Sequence, residues 1–228
     1  MALSVLGLVT GALLLAAPGW RYTAEVGSDV PLDLGVAVRA ESPERLRGGL
    51  TLGYLPGGYV ALINDTVGSL GGYDASTAEV IEKALERSLV VRLHGGWRPW
   101  AGRGFYFGGG ASLIALGGAA TGQEILSAAS GQPVEAPRAA STDYDLSTHV
   151  LLADVEVGWD FELAPHWTLR AALGGSFTLD AGSEITLRDG SPNRLQAAFS
   201  DAAEVWLEET LETYVHTPLV TLAGGYRW

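Results

Sequence analysis

A chain of 228 residues with 31 glycines, 7 tryptophans and 8 tyrosines has room for one or two domains, and this balance favours β-structure over a helical bundle. It contains no cysteine, which excludes a disulfide framework and a thiolate metal site. The net charge of −12 argues against a nucleic-acid partner, because neutralising a phosphate backbone needs a basic surface.

The chain begins MALSVLGLVTGALLLAAPGW, without a charged side chain before Arg21 and with the small residues Ala16, Ala17 and Gly19 closing the apolar run. Residues 1–19 read as a signal peptide, although no Lys or Arg forms a positive n-region. The competing reading is one membrane-spanning helix, but about 17 residues is the lower limit for a span and Pro18 and Gly19 end the run abruptly. The remainder, residues 20–228, reads as one β-domain.

From Trp20 onward apolar and polar residues alternate, the period of a strand whose two faces meet different surroundings. In WRYTAEVG, Trp20, Tyr22, Ala24 and Val26 face one way and Arg21, Thr23, Glu25 and Gly27 the other. The same pattern predicts strands over Val30–Val38, Leu46–Tyr54, Leu89–Trp97 and Phe105–Ala115. Three more follow over His149–Phe161, Trp167–Leu179 and Pro218–Trp228, eight in all. The first, of about seven or eight residues, falls below the usual span of 9–11. A weak repeat supports the parse: LDLGVAVRAESPERLRGGLTLGY lies over VEVGWDFELAPHWTLRAALGGSF, matching Gly35 to Gly158, Pro43 to Pro165 and Arg47 to Arg170.

The connections alternate in length. ESPER, RPWAGR and ELAPH are short, whereas 55–88, 118–147 and 180–216 are long and carry most of the acidic side chains. Helices are predicted within two of them, over STAEVIEKALERS, opened by a Ser76/Glu79 capping box, and over NRLQAAFSDAAEVWLEETLETY, with Leu195, Phe199, Ala202 and Trp206 on one side.

The two faces differ in charge. One carries Trp20, Val36, Leu52, Leu93, Phe107, Val155, Leu173 and Leu222, and no Asp, Glu, Lys or Arg falls in that register. The other carries Arg21, Arg39, Arg47, Arg92, Arg98, Arg170 and Arg227 with Glu25, Asp33, Asp154, Glu156, Asp160, Glu162 and Asp180. A soluble barrel would pack apolar residues inside and present charge outside. The charge-free face is the one a lipid environment requires, since Arg or Lys there costs about 2–4 kcal/mol at mid-depth. Trp97, Trp100, Phe105, Trp159, Phe161, Trp167, Tyr226 and Trp228 fall at the short-turn ends, where aromatic rings form interfacial girdles. The expected fold is therefore all-β: an eight-stranded antiparallel up-and-down transmembrane barrel with helices in its long loops.

With these features residues 20–228 resemble the small eight-stranded outer-membrane β-barrel proteins of Gram-negative bacteria, the opacity-type and porin-superfamily class. In that class a C-terminal aromatic with apolar residues at alternate preceding positions is the signal read by the assembly machinery; Trp228, Tyr226, Leu222 and Val220 match it, with Gly224 in one apolar slot. The resemblance implies residence in the bacterial outer membrane, a periplasmic C-terminus, extracellular long loops, and lipid, lipopolysaccharide and the assembly machinery as partners. It implies no subfamily and no particular activity.

An eight-stranded barrel is just wide enough for side chains to fill it. Arg92, His94, Asp154, Glu156 and Arg170 fall near mid-strand and are expected to form a luminal charge network, because desolvated carboxylates and guanidiniums must satisfy one another. The expected function is a structural, adhesive or interaction protein with a filled polar lumen and an acidic external cap, with no metal or organic cofactor implied and no protein partner identified. Two alternatives stand beside it. One is a narrow channel for ions or small solutes. The other is an outer-rim enzyme acting on lipid A or peptides, with His149, His216, Asp143, Asp145 and Ser147 as the available groups.

Overall fold

The computed structural model describes residues 19–69, 87–130, 142–188, 194–214 and 217–228. Eight antiparallel strands follow one another around a closed ring: β1 (Arg21–Val30), β2 (Asp33–Glu41), β3 (Leu46–Tyr54), β4 (Arg87–Trp97), β5 (Phe105–Thr121), β6 (Asp143–Ala164), β7 (Trp167–Leu187) and β8 (Thr217–Arg227). β1 closes the ring against β8, from Thr23 opposite Arg227 to Val30 opposite Val220. The strands β2 to β3, β4 to β5 and β6 to β7 join through short turns at one end; both chain ends of the barrel lie there too. β1 and β2 join at the other end through Pro31 and Leu32. The predicted leader lies outside the described residues, apart from Gly19, and so do residues 76–86 of the helix predicted over STAEVIEKALERS; its last two residues, Arg87 and Ser88, instead open β4, where they pair with Gly117 and Leu116.

Alternation located all eight strands, and β3 has the predicted bounds. The closing strand β1 is longer than expected, at 10 residues, because Ser28, Asp29 and Val30 continue its pairing with β2 and β8. The larger difference lies in β5, β6 and β7, which run on to Thr121, back to Asp143 and on to Leu187. Their alternation does not stop where the predicted strands end. It changes sense. Along the 22-residue β6, Asp154, Glu156 and Asp160 face the lumen while Val155, Val157 and Trp159 face outside. Beyond Leu152 the buried row becomes Val150, Thr148, Leu146 and Tyr144, and the exposed row becomes His149, Ser147, Asp145 and Asp143. The upper third of the strand thus has the polarity of an ordinary water-facing sheet.

A bulge accompanies the change. Leu151 pairs with Asp180 and Leu152 with Thr178, so Leu179 is an extra residue in β7. The inserted residue shifts the alternation by one. Asp180, expected to face the lumen, is consequently exposed on the outside, and Ala181 takes the buried place.

Among the described residues three helices lie at the long-loop end: α1 (Gly57–Ser69), α2 (Gly122–Ser130) and α3 (Arg194–Tyr214). Only α3 was expected. α2 carries a capping box that sequence reasoning overlooked, in which the Glu124 N–H donates to Thr121 Oγ1 at 3.3 Å and the Thr121 N–H donates to Glu124 Oε2 at 2.9 Å. α3 places Leu207 and Leu211, with Trp206 beside them, into a cluster with Leu32, Val90, Leu116, Leu152 and Leu219. This apolar layer closes the long-loop mouth. Higher up, Phe199 and Ala203 pack on Tyr144, Leu146 and Ile185 of the extended sheet.

β8 pairs with β7 only as far as Ser176, so the edge of β7 beyond that point has no strand beside it. α3 covers it with two glutamates: the Ile185 N–H donates to Glu204 Oε1 at 2.7 Å and the Ser183 N–H to Glu208 Oε1 at 2.8 Å. An unpaired edge invites pairing with another chain, and covering it by a helix is one remedy. Glu204→Ala and Glu208→Ala should each cost about 1–3 kcal/mol, the penalty for a donor left without its acceptor. Amide hydrogen exchange is the direct measurement: the Ser183 and Ile185 amides should exchange faster in these variants while those of β1 and β2 do not change.

Candidate functional site: the charged lumen

The lumen-facing row of each strand brings its charged side chains into a narrow space, and three tiers of ion pairs fill it. The tier nearest the long-loop end centres on Arg92, whose side chain has no exposed surface. Its Nη1 donates to Asp29 and, at 3.3 Å, to Asp33; its Nε donates to Ser112 Oγ at 3.0 Å and lies 3.5 Å from Asp154. Ser112 and Ser176 both donate to Asp154, and Thr221 donates to Asp29. One cation from β4 is therefore tied to carboxylates on β1, β2 and β6, across the barrel.

The middle tier centres on Glu25, which accepts from Arg39 Nε at 2.8 Å and Arg170 Nε at 3.0 Å. Arg170 Nη1 also lies 3.7 Å from Glu156 and donates to the Tyr106 hydroxyl at 3.4 Å. His94 stands beside Glu156, with Nδ1 3.8 Å from its carboxylate. Room for these side chains comes from small residues opposite them. Tyr106 lies flat over Gly158, its partner on β6, where a Cβ would come within 2.4 Å of the ring. Asp33 lies over Gly53 of β3 in the same way, with its atoms 2.9–3.1 Å from where a Cβ would be. Alternating small with large residues is how a small barrel fits its interior.

The third tier lies at the short-turn mouth. Arg98 Nη2 donates to Glu41 at 2.9 Å and Asp160 at 2.6 Å, Arg47 Nη2 pairs with Asp160 at 2.9 Å, and Arg21 bonds Glu41. The Arg47 guanidinium also stacks over Tyr106, 3.9 Å from its ring centroid. At the lip, Arg227 Nη1 donates to Glu162 Oε1 at 2.5 Å.

Arg92, His94, Asp154, Glu156 and Arg170, selected from the sequence, are all buried, and the structure distributes them over the first two tiers. Asp29 and Glu41 were missed. Both fall at strand ends beyond the predicted bounds, although each continues the lumen-facing alternation of its strand. Tyr106, Ser112, Ser176 and Thr221 were missed because uncharged residues carry no sign of membership in a charge network.

Of the rim residues considered for catalysis, Asp143, Asp145, Ser147 and His149 lie in the exposed row of β6. His149 faces outside, with its ring over Gly182, while Asp145 is engaged by Arg188 at 2.6 Å and 3.0 Å. His216 lies outside the described residues. Among the described residues no group of three or more His, Asp and Glu side chains is placed to hold a metal ion.

Outside the barrel, Trp97, Trp159, Trp167, Tyr226 and Trp228 are exposed at the short-turn end. Rings run in contact from Trp100 through Phe105 and Trp159 to Phe161, with centroids 5.4–6.5 Å apart. Trp167 meets Tyr226 at 5.5 Å, and Trp228 stacks on Tyr22 at 6.4 Å, its N–H donating to the Tyr22 carbonyl at 3.1 Å.

No protein-family model and no curated protein sequence matches this chain. Among solved structures, it is similar to a major outer membrane protein from Thermus thermophilus, with a TM-score of 0.51 and 15% identity over 92% of this chain and 99% of that one. A looser likeness, with a TM-score of 0.38 and 15% identity, relates it to CarO of Acinetobacter baumannii over 91% of this chain and 97% of that one. The first match shows a shared fold.

Removing a buried cation leaves its carboxylates uncompensated, which costs about 3–5 kcal/mol. Arg92→Leu should therefore lower the denaturant midpoint of the purified protein strongly. Arg227→Ala, at the open mouth, should change it little. Equal midpoints for the two variants would contradict the assignment of Arg92 as the central tie.

Proposed function

We propose that this chain is an integral outer-membrane barrel with a sealed lumen, serving as a structural, adhesive or interaction protein whose acidic helical cap faces the exterior and whose C-terminus lies in the periplasm. The observation that carries this reading is the change of polarity along β6. In its lower part charge faces inward and Val155, Val157, Trp159 and Phe161 are exposed. Bulk water would favour the reverse, and a lipid wall demands this arrangement. Above Leu151 the exposed residues are polar and charged, as expected where the sheet leaves the bilayer. Among the described residues no helix is long and apolar enough to cross a membrane. Strands of 9–11 residues, such as β2, β3, β4 and β8, match the length that a tilted strand needs. The similar Thermus protein is itself a major outer membrane protein, which supports the same location here.

A sealed lumen follows from two barriers in series: the apolar layer of Leu32, Leu152, Leu207 and Leu211, and the Arg92 tier beneath it. The exposed carboxylates of the cap and of the projecting sheet suit contact with the lipopolysaccharide headgroup layer through divalent cations, a bridging role for which acidic surfaces are chemically fitted.

Detergent-extracted protein should run at two gel positions depending on boiling, and in planar bilayers it should give no porin-sized conductance steps. Recovery as a water-soluble monomer would overturn the membrane reading; large steady steps would overturn the sealed lumen. The C-terminus supplies a separate test. Deleting Trp228 removes its contacts with Tyr22 and the end of the aromatic series, so assembly into the membrane fraction should fall far more than in Arg227→Ala.

A further inference from the structure

Among the described residues, α1 stands apart from the seal that α3 makes. Its Val60 packs with Leu55 and Tyr59 in a cluster of its own, separate from the layer that closes the mouth. The Tyr59 hydroxyl bonds to Ser28 Oγ. Along β1 the side chains of Thr23, Glu25 and Asp29 are buried on the lumen side, and the pairing with β2 and β8 runs without a bulge, so Ser28 stands with Val26 in the outward row. The Tyr59 ring therefore reaches over the rim to the outer wall of the barrel.

That contact orients the helix. Ser28, Leu34 and Tyr54 lie on one cross-strand row, because Leu34 pairs with both of the others, and α1 begins beyond Tyr54. Tyr59 thus points back down the wall. At about 100° of turn per residue, Leu62 falls about 60° from Tyr59 and Asp65 about 120° in the same sense, while Val60 turns the opposite way into its cluster. Leu62 consequently faces down and outward, and Asp65 away from the wall. Leu62 is 48% exposed, and Tyr54, at the upper end of the outward row of β3, is 51% exposed. The helix sequence GGYVALINDTVGS carries a single charge, Asp65, unlike the strongly acidic α3. Below it the exposed wall continues through Leu34, Val36 and Leu52 without a charged side chain.

We propose that α1 is an interfacial helix seated in one leaflet of the membrane, with lipid acyl chains as the partner of Leu62 and Tyr54 and the headgroup layer as that of Asp65. A helix lying in the interface sinks its apolar side about 5–10 Å into the acyl boundary. Tyrosine is enriched at that depth, where its ring is in hydrocarbon and its hydroxyl needs a polar partner. Ser28 supplies that partner to Tyr59. The occupant is lipid and not a second protein, because the exposed apolar surface of the helix is small and runs directly into the apolar wall beneath. That the wall meets lipid rests on the membrane reading above; the contact of α1 with the outer side of the wall does not.

The chain has no cysteine, so one introduced cysteine carries the only label. The whole protein bearing Leu62→Cys, Asp65→Cys, Leu93→Cys or Ser147→Cys is spin-labelled, reconstituted in phosphatidylcholine vesicles, and probed with oxygen, which concentrates among acyl chains, and with a water-soluble nickel chelate. The oxygen-to-nickel accessibility ratio should fall in the order Leu93, Leu62, Asp65, Ser147, with Leu62 severalfold above Ser147, whose side chain is exposed above the bilayer. A Leu62 ratio equal to that of Ser147 puts α1 in water and overturns the proposal. A Leu62 label shielded from both reagents, as under a second copy of the chain, overturns it too, and so does an Asp65 ratio above that of Leu62. Leu93 is read in the same vesicles: an aqueous Leu62 with a lipid-exposed Leu93 refutes the helix assignment alone, whereas an aqueous Leu93 refutes the membrane reading with it.

Discussion

A guanidinium with no exposed surface stays charged only if carboxylates take the place of water around it, and Arg92 obtains them from three other strands. Asp29 lies 63 residues away in the chain and Asp33 59. Neither reaches Arg92 unless the sheet curls so that β1 and β2 face β4 across the lumen. Closure of the barrel and neutralisation of Arg92 are thus one event in energetic terms: an open sheet would leave Arg92 facing solvent or an unpaired interior. The serines and threonine that donate to Asp154 and Asp29 complete the arrangement, satisfying lone pairs the guanidinium does not reach.

From that constraint the rest of the wall follows. Because charge is placed inside, the outside is free to be uniformly apolar over the lower part of the barrel, and Leu93 and Leu173 are each 62% exposed there. Such exposure on so many large side chains would be a liability in water. The interior must in turn fit long side chains into an eight-stranded ring, which explains the glycines beneath Tyr106 and Asp33. Packing is as strict inside this polar lumen as in an apolar core.

At the long-loop end the constraint reverses. Once β5, β6 and β7 project beyond the ring, their former lumen face has no opposite wall to meet, and it becomes apolar: Leu116, Ala120, Tyr144, Leu146 and Ile185. α3 is the element that covers it. Its Leu207 and Leu211 close the mouth, its Phe199 and Ala203 cover the sheet, and its Glu204 and Glu208 meet the amides that β8 leaves unpaired. One amphipathic helix thereby serves as plug, cover and edge partner.

Much of this was legible in the sequence, because a strand's period of two is local. Alternation alone identified eight strands, gave β3 its bounds, and assigned Arg92, His94, Asp154, Glu156 and Arg170 to the inside and Trp97, Trp159 and Tyr226 to the outside. The helix at α3 was legible from its apolar spacing, but not its buried face, which runs through Ala203, Leu207 and Leu211 and leaves Ala202, read as part of the apolar side, exposed. Local periodicity fails wherever an event breaks it or a partner decides it. The bulge at Leu179 turned Asp180 to the outside, an outcome that depends on which residues β6 sets opposite. The extensions of β5 to β7 were hidden because the alternation changes sense, and only a covering helix distant in sequence shows why the apolar residues there face inward. Above all, the partners of each charge were not legible. The sequence determines that Arg92 points into a lumen; the closure and stagger of the ring decide that Asp29, Asp33 and Asp154 meet it there, because cross-barrel neighbours are set by where β1 pairs with β8 and not by any spacing along the chain.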